Sequence, residues 1–290
     1  MTIAVAELRR PLAFRSHTGR RGLTLIELTV VIAILAVLAM MLMPRLAFLR
    51  TMSLHASSAT ALQDTTQNLL TFHASQAKWP HRFDSLLATT GTGVAPIGLY
   101  GSGSSATNGL DSALTTSNML SMTTLSASEL KSLVGLLGNP VTGTSRPEIE
   151  LMDHDEANSK PGSSGVFPRD LNAASGGNLS VATIDPNHNV NPADPNAASG
   201  WIIYNTVFPD GIPSNERLVA LGVGPKCTAV SKTIVTPPSL YMKDATRYNR
   251  VIVLIRVRSD GVQASLAGAI SADGRTLDQC QGNYRVTAER

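Results

Sequence analysis

Two arginines, a glycine and a single acid at the start of an apolar run could do chemistry in this 290-residue chain. Arg20 and Arg21 precede Gly22, and the next charged residue, Glu27, lies inside the run from Leu23 to Met43. Because glycine has no Cβ, the peptide bond after Gly22 is accessible to a protease and takes extended geometries that other residues resist. The pattern predicts a basic leader that is cut off in front of a retained apolar helix.

The run from Leu23 to Met43 contains 21 residues, and Glu27 is its one charge. A helix of this length crosses a bilayer core of about 30 Å, and Glu27 lies about 6 Å along it. A carboxylate at that depth is costly unless a partner compensates its charge. Since the run contains no cation, we expect the partner of Glu27 to come from elsewhere.

The charge of the chain is concentrated in the first 22 residues, which contain five arginines and one acid. The positive-inside rule predicts a cytoplasmic leader and a remainder on the other side of the membrane. The leader carries +4 of a net charge of +3, so the rest of the chain carries −1. A chain that loses this leader has no basic balance, and we expect no nucleic-acid partner.

No residues in the sequence indicate catalysis. Aromatic residues make up 4% of the chain, which is few for a large aromatic-lined substrate pocket. No serine lies in a Gly-x-Ser-x-Gly motif that leads into a helix, and the histidines lack metal-ligand spacing. We expect a protein that is the substrate of an enzyme and is not an enzyme, with no cofactor.

Two weaker patterns could bind ligands. The first places oxygen side chains near alternate positions, as in a calcium loop, at Asp185, Asn187, Asn189, Asn191 and Asp194. It lacks the glycine and the closing glutamate of an EF-hand, and polar turn chemistry explains it equally well. The second, Tyr241–Arg250, interleaves basic and aromatic residues and could follow a nucleic-acid strand. Arg250, Arg256 and Arg258 share strand parity, which also fits a solvated sheet face.

The segment Arg20-Arg21-Gly22-Leu23-Thr24-Leu25-Ile26-Glu27-Leu28 resembles the type IV prepilin signature. The resemblance is close over Arg20–Pro44, fair to Trp79 and only architectural beyond it. It implies that prepilin peptidase recognises the two arginines, cuts between Gly22 and Leu23 and methylates the new amine of Leu23. Phenylalanine is the commonest residue at that position in the family. The resemblance also implies that Glu27 pairs with the N-terminal amine of a neighbouring subunit during assembly.

The family contains two roles that fit the chain. One is a pseudopilin of a type II secretion system, and the other is a type IV pilin or minor pilin for adhesion, motility or DNA uptake. The segment from Lys78 to Leu87 is similar to the region after the helix in secretion pseudopilins, which favours the first role. Both roles imply other pilin or pseudopilin subunits and an inner-membrane assembly platform as partners. Outside the family, a single-span envelope binding protein that never polymerises is the alternative.

The resemblance implies a protein of the inner membrane with one span, a cytoplasmic N-terminus and a head in the periplasm or in an extracellular filament. In such a compartment, Cys227 and Cys280 are expected to form one disulfide. The pair resembles the arrangement of many pilins, in which a C-terminal disulfide encloses a surface loop. Two unpaired buried thiols are the alternative.

The elements that position these residues define an α+β fold. A helix is predicted from Leu23 to Lys78, a length of about 84 Å, and the Trp79-Pro80 pair is its stop signal. Pro44 removes a helical hydrogen bond, which predicts a kink or local melting near Leu42–Leu46. The domain organisation is a leader (1–22), a transmembrane segment (23–43), an amphipathic continuation (44–79) and a globular head (80–290).

The head is predicted to be an antiparallel sheet with loop-rich insertions at 89–124 and 157–200. A capping box from Ser126 to Glu129 predicts a short helix after the first insertion. Ser259-Asp260-Gly261 is predicted to turn the last two strands into a hairpin. The predicted strands are Trp201–Tyr204, Leu218–Leu221, Val251–Val257 and Val262–Ile270.

Overall fold

The structure is a computed structural model that describes residues 24–90, 93–96, 119–137, 151–152, 180–188, 199–240 and 248–288. The chain divides into two compact units, one that ends at Leu49 and one that begins at Arg50. We call the second unit the head. All the described strands lie in it.

The described helices are α1 (Leu25–Gln76), α2 (Ala127–Leu137), α3 (Gly200–Val207) and α4 (Leu277–Ala288). The described strands are β1 (Phe83–Asp84), β2 (Leu87–Thr90), β3 (Gly93–Pro96), β4 (Leu120–Thr124), β5 (Leu151–Met152), β6 (Ser180–Ile184), β7 (Glu216–Gly222), β8 (Ile252–Arg258) and β9 (Ser265–Ile270). An apolar N-terminal helix followed by an antiparallel sheet is the α+β layout that the sequence predicts.

Helix α1 contains 52 residues and continues through Pro44, so the predicted local melting there does not occur. Proline removes only one backbone donor, and the turns on either side stay helical. A kink at Pro44 stays a prediction. The helix ends at Gln76, where Ala77 takes a positive φ of 52°. A left-handed residue after the last turn is a common helix stop, and it lies two residues before the predicted Trp79-Pro80 signal.

The main sheet pairs its strands in the order β4-β6-β7-β8-β9, and every pairing in that series is antiparallel. Strands β7 and β8 pair along their whole length, from Glu216 opposite Arg258 to Gly222 opposite Ile252. The short parallel pair β1–β5 joins β7 through Asp84 and Gly222. The predicted strands in β7, β8 and β9 are confirmed. Strands β2 and β3 form a separate hairpin.

The two faces of the sheet bury different core clusters. Side chains alternate along β7, so Leu218 and Ala220 lie in the first core cluster while Val219 and Leu221 lie in the second. The first cluster contains residues of α1, α3 and α4, and the second contains four leucines of α2 with Leu69 and Phe72 of α1. Helices therefore cover both faces of the sheet.

The prediction of a strand at Trp201–Tyr204 is wrong, because these residues lie in α3. Its run of large apolar residues suits a strand as well as a helix, and tertiary contacts select the helix. Ile203, Tyr204 and Phe208 are buried on one helical face. The Tyr204 hydroxyl lies between two strands: it donates to the Ile184 carbonyl at 3.3 Å and accepts the Leu218 N–H at 3.1 Å.

Three described strands come from the stretches predicted as loop-rich insertions. Strands β3 and β4 lie within 89–124, and β6 lies within 157–200. Strands β4 and β6 pair over five residues, and the Thr183 hydroxyl lies 2.8 Å from that of Thr123. Hydroxyl pairs of this kind stabilise strands once they are paired. In the sequence, however, the Ser and Thr residues of these stretches are also typical of loops, and the prediction therefore missed the strands.

The capping box predicted at the start of α2 is confirmed. The Ser126 N–H donates to the Glu129 carboxylate at 2.9 Å, and the Glu129 N–H donates to the Ser126 hydroxyl at 3.3 Å. Glu129 also pairs with Arg217 of β7 at 2.9 Å. This one side chain therefore begins the helix and fastens it to the sheet.

Candidate functional site

Glu27 closes the N-terminal turn of α1 through a second capping box. The backbone N–H and the hydroxyl of Thr24 both donate to Glu27 Oε2, at 2.9 and 3.0 Å. The Glu27 N–H donates in return to the Thr24 hydroxyl at 3.3 Å, and the Leu28 N–H donates to the Thr24 carbonyl at 3.1 Å. Thr24 is thus the N-cap residue of α1, and its pairing with Glu27 satisfies donors that a helix start leaves open.

The capping box stabilises the Glu27 carboxylate from within its own chain. Two of its hydrogen-bond donors come from Thr24, three residues earlier in its own chain. Both bonds use Oε2, and Oε1 has no hydrogen bond with any residue that the structure describes. The carboxylate can therefore cap its own helix and still accept a donor from outside. Sequence reasoning did not assign a role to Thr24, although a threonine three positions before a glutamate is the capping-box pattern.

The apolar part of α1 is exposed in this chain. Leu25–Met43 is long and apolar enough to cross a membrane, with a mean hydropathy of 2.8, and none of its residues is buried. Exposed leucine, isoleucine and valine over this length need cover from lipid or other chains. This helix fits a single-pass membrane anchor, and we call Leu25–Met43 the anchor segment.

The other residues predicted for processing lie outside the described part of the chain. These are Arg20, Arg21, Gly22 and Leu23. Cleavage after Gly22 and methylation of Leu23 therefore stay predictions. Covalent connection alone places the Leu23 nitrogen one residue before the Thr24–Glu27 capping box.

The structure corrects the disulfide prediction, because Cys227 and Cys280 are both free and buried. Cys280 belongs to the first core cluster and Cys227 to the second. Burial raises the pKa of Cys227 to about 12 and that of Cys280 to about 11. Both thiols are therefore protonated and unreactive at neutral pH.

Two of the five calcium candidates, Asp185 and Asn187, lie in the described residues, and Asn189, Asn191 and Asp194 do not. Asp185 Oδ1 accepts the Asn187 N–H at 2.9 Å, which is the polar turn chemistry considered as the alternative. The structure describes no group of three metal-ligating side chains. The adjacent His188 is buried, and its Nδ1 accepts the Gly200 N–H at 3.4 Å. This turn therefore contacts the start of α3.

The arginines considered for nucleic-acid binding contact groups of the head itself. Arg256 donates to both carboxylate oxygens of Glu216, and Arg258 pairs with Asp260 at 2.6 Å. Arg250 donates to the Pro237 carbonyl at 3.1 Å. These contacts tie β8 to β7 and to neighbouring turns, while residues 241–247 lie outside the described part of the chain.

The fold and the Thr24–Glu27 site define a protein with an exposed apolar N-terminal helix, a capped acid at its start and an α+β head. A family model described as the prokaryotic N-terminal methylation motif matches residues 18–43. The chain therefore carries the type IV prepilin/pseudopilin signature. No curated protein and no solved structure matches the chain.

Proposed function

We propose that this chain is a prepilin-like structural subunit that assembles through its N-terminal helix into the pseudopilus of a type II secretion system. The observation that carries the proposal is the methylation motif at 18–43 in front of an anchor segment with no buried residue. Such a segment is covered by lipid before assembly and by neighbouring subunits afterwards.

Processing is the first step of the proposal. Prepilin peptidase cuts between Gly22 and Leu23 at the cytoplasmic face and methylates the amine of Leu23. The basic leader stays on the cytoplasmic side during insertion, and the head is delivered to the periplasm. The cut creates a positively charged amine on Leu23, one residue before Thr24, at the N-terminal end of the helix that Glu27 caps.

Assembly is the second step, and the geometry of Glu27 supports it. Oε2 is occupied by Thr24, which keeps the carboxylate at the start of the helix. Oε1 then accepts the methylated amine of an incoming subunit. In an apolar environment this charge pair is much stronger than in water. It sets the axial position of each new subunit against its neighbour.

Two substitutions of Glu27 test the assembly step because they separate its charge from its capping role. Glu27→Leu removes both. Glu27→Gln retains an acceptor suited to a capping box and removes only the charge. We expect both variants to be cleaved and inserted normally and to lose cross-linked multimers in native membranes. If Glu27→Gln assembles like the parent, capping and not charge pairing is the role of this residue. If Glu27→Leu also assembles, the proposed role of Glu27 in assembly is wrong.

The choice of the secretion role rests on the similarity of the segment from Lys78 to Leu87 to the region after the helix in secretion pseudopilins. There Trp79 stacks on His73 with ring centroids 4.6 Å apart, and Pro80, Phe83 and Leu87 are buried. Deletion of the gene for this chain in its native host tests the choice between the two roles. We expect secreted proteins to accumulate in the periplasm while surface pili are unchanged. Loss of pili with normal secretion would instead indicate a type IV pilin or minor pilin.

A further inference from the structure

An open apolar groove lies in the head beside α1. Its volume is about 320 Å³, and α1, α3, β8, β9 and the first turn of α4 line it. The floor contains Leu62, Ile203, Leu254 and Ile270, all of which are buried in the first core cluster. Leu70 of α1 lies on the rim and is 50% exposed.

Strand β9 provides the space for this groove. Its residues Ala267, Gly268 and Ala269 line one wall, and none of them has a side chain larger than a methyl group. A Cβ at Gly268 would meet no atom within 4 Å. Ala267 is the extra residue of a bulge, because Gly268 pairs with Leu254 and Leu266 pairs with Ile255. The groove is therefore open along a bulged strand at the edge of the described sheet.

A single valine projects from the head outside the groove. Val235 is 90% exposed, the highest value for a large apolar side chain in the described head. It directly follows a turn in which the Ala229 carbonyl accepts the N–H groups of Lys232, Thr233 and Ile234 at 3.0–3.2 Å. Ile234 itself is buried in the second core cluster. Val235 is thus an apolar knob on a firmly anchored turn.

The groove and the knob carry complementary charges. Asp278 lies at the groove in the first turn of α4, and it has no ion-pair partner among the residues that the structure describes. Lys232 lies on the knob's turn, where its ammonium group is 5.5 Å from the centroid of the Phe72 ring. No described acid pairs with Lys232. A contact between the two surfaces brings this cation to that acid.

From this arrangement we infer that, in the assembled filament, the Val235 turn of one copy inserts into the α1–β9 groove of the next copy. The inference rests on the proposed filament function and adds a contact between heads to it. The groove floor belongs to the first core cluster and the anchoring Ile234 to the second. The contact therefore joins two unlike surfaces, and contacts of this type propagate as an open chain in a filament, where they do not close into a ring.

Engineered cysteines test the contact in full-length protein in native membranes. Val235→Cys combined with Gln67→Cys, at the groove, should give a ladder of disulfide-linked multimers after mild oxidation. Each single variant should give none. Cys227 and Cys280 are buried and do not interfere. The matched control is Val262→Cys with Gln67→Cys, because Val262 is also an exposed valine, at 51%. No ladder from the first pair, or an equal ladder from the control pair, would overturn the inference.

Charge reversal tests whether a second copy is the occupant. Lys232→Glu should weaken the ladder of the Val235→Cys/Gln67→Cys protein, and adding Asp278→Lys should restore it. A double variant no better than Lys232→Glu alone would contradict the pairing. Occupation of the groove by a lipid chain or by another protein would give that result, since neither responds to Lys232.

A third variant separates this inference from the proposed function. Burial of one valine is worth about a tenfold change in an equilibrium constant, so Val235→Asp should lower filament yield at least about tenfold. Its melting temperature and its cleavage after Gly22 should match the parent. If Val235→Asp assembles like the parent while Glu27→Leu does not, the groove contact is wrong and the proposed function stands. If the parent chain itself gives no cross-linked multimers in native membranes, the proposed function has failed.

Discussion

The anchor segment and the head are both rich in leucine, isoleucine and valine, but they cover these side chains in different ways. Every residue of the anchor segment is exposed in the single chain, whereas the head buries such residues in two core clusters. The head therefore obtains its apolar burial from its own residues. The anchor segment has no such cover in the single chain, and exposed apolar side chains over this length need cover from lipid or from other chains.

The acidic residues of the two regions also differ in whether a partner within the chain compensates their charge. In the head, Glu216 is enclosed by Arg256 and Arg258, and Glu129 pairs with Arg217, so these carboxylates have charged partners within the chain. Glu27 has only the neutral donors of Thr24 among the described residues. An acid that is hydrogen-bonded but not charge-compensated is suited to a cationic partner from another subunit.

The largest effect that separates the two regions is expected from Gly222→Ala. A Cβ on Gly222 would lie 2.0 Å from the Tyr248 hydroxyl oxygen and 3.1 Å from the Asp84 Cβ. Tyr248 and Asp84 are both buried, with side chains at most 1% exposed. Overpacking at such a site costs about 1–3 kcal/mol. We expect a loss of that size in the free energy of unfolding of the head, measured by denaturant titration, with unchanged membrane insertion.

Two variants accompany this measurement. Gly282→Ala is the matched control, because its Cβ would meet no atom within 4 Å, and we expect no loss of stability. Tyr248→Phe in the Gly222→Ala background removes the atom that the new Cβ strikes first, so it should recover part of the loss. Equal stability of Gly222→Ala and the parent would show that the Tyr248 hydroxyl can move away from β7 at little cost in free energy.

A smaller effect is expected from acid, and it should again be confined to the head. Burial lowers the pKa of His188, and the Asp185 carboxylate opposes this shift. The folded head thus binds the proton less readily than the unfolded chain. The stabilisation is complete above the unfolded pKa of about 6.5 and is lost as the pH falls through the folded pKa.

We therefore expect the melting temperature to decrease below about pH 6.5 and to decrease less in His188→Gln. His55, whose pKa is also lowered by burial and by Arg275, contributes part of the remainder. His188→Gln with an unchanged pH profile would mean that the ring is accessible to solvent and not part of the contact with α3.

No effect is expected from reductant, which is the reverse of what the disulfide hypothesis requires. Cys227 and Cys280 are free, so the melting temperature should be the same with and without a reducing agent. A thiol reagent should label neither residue rapidly in the folded head and both after unfolding without reductant. Unfolded protein without titratable thiols would show that the two cysteines are bridged.

The elements that the sequence predicted correctly are those determined by interactions between residues close together in the chain. The anchor helix follows from an uninterrupted apolar run, and α2 follows from a capping box next to its leucines. Both need only residues a few positions apart. The Thr24–Glu27 capping box is equally local, and it could have been predicted from the same pattern.

The features that sequence reasoning missed depend on distant residues. Tyr204 lies in a helix because its hydroxyl contacts β6 and β7, and the hydroxyl contact between Thr123 and Thr183 joins residues 60 positions apart. The cysteines end in different core clusters, because topology, not spacing, decides which core each one enters. The groove beside α1 forms from five separate elements, and no single stretch of sequence indicates it.

The N-terminus of the mature protein tests the central claim most directly. Intact-mass measurement and N-terminal sequencing of protein purified from native membranes should find a chain that begins at Leu23 with a methylated amine. Gly22→Val should leave the uncut precursor, because a β-branched residue is stiff and bulky at the scissile bond. A mature chain that begins at Met1, or downstream of Met43, would contradict the account.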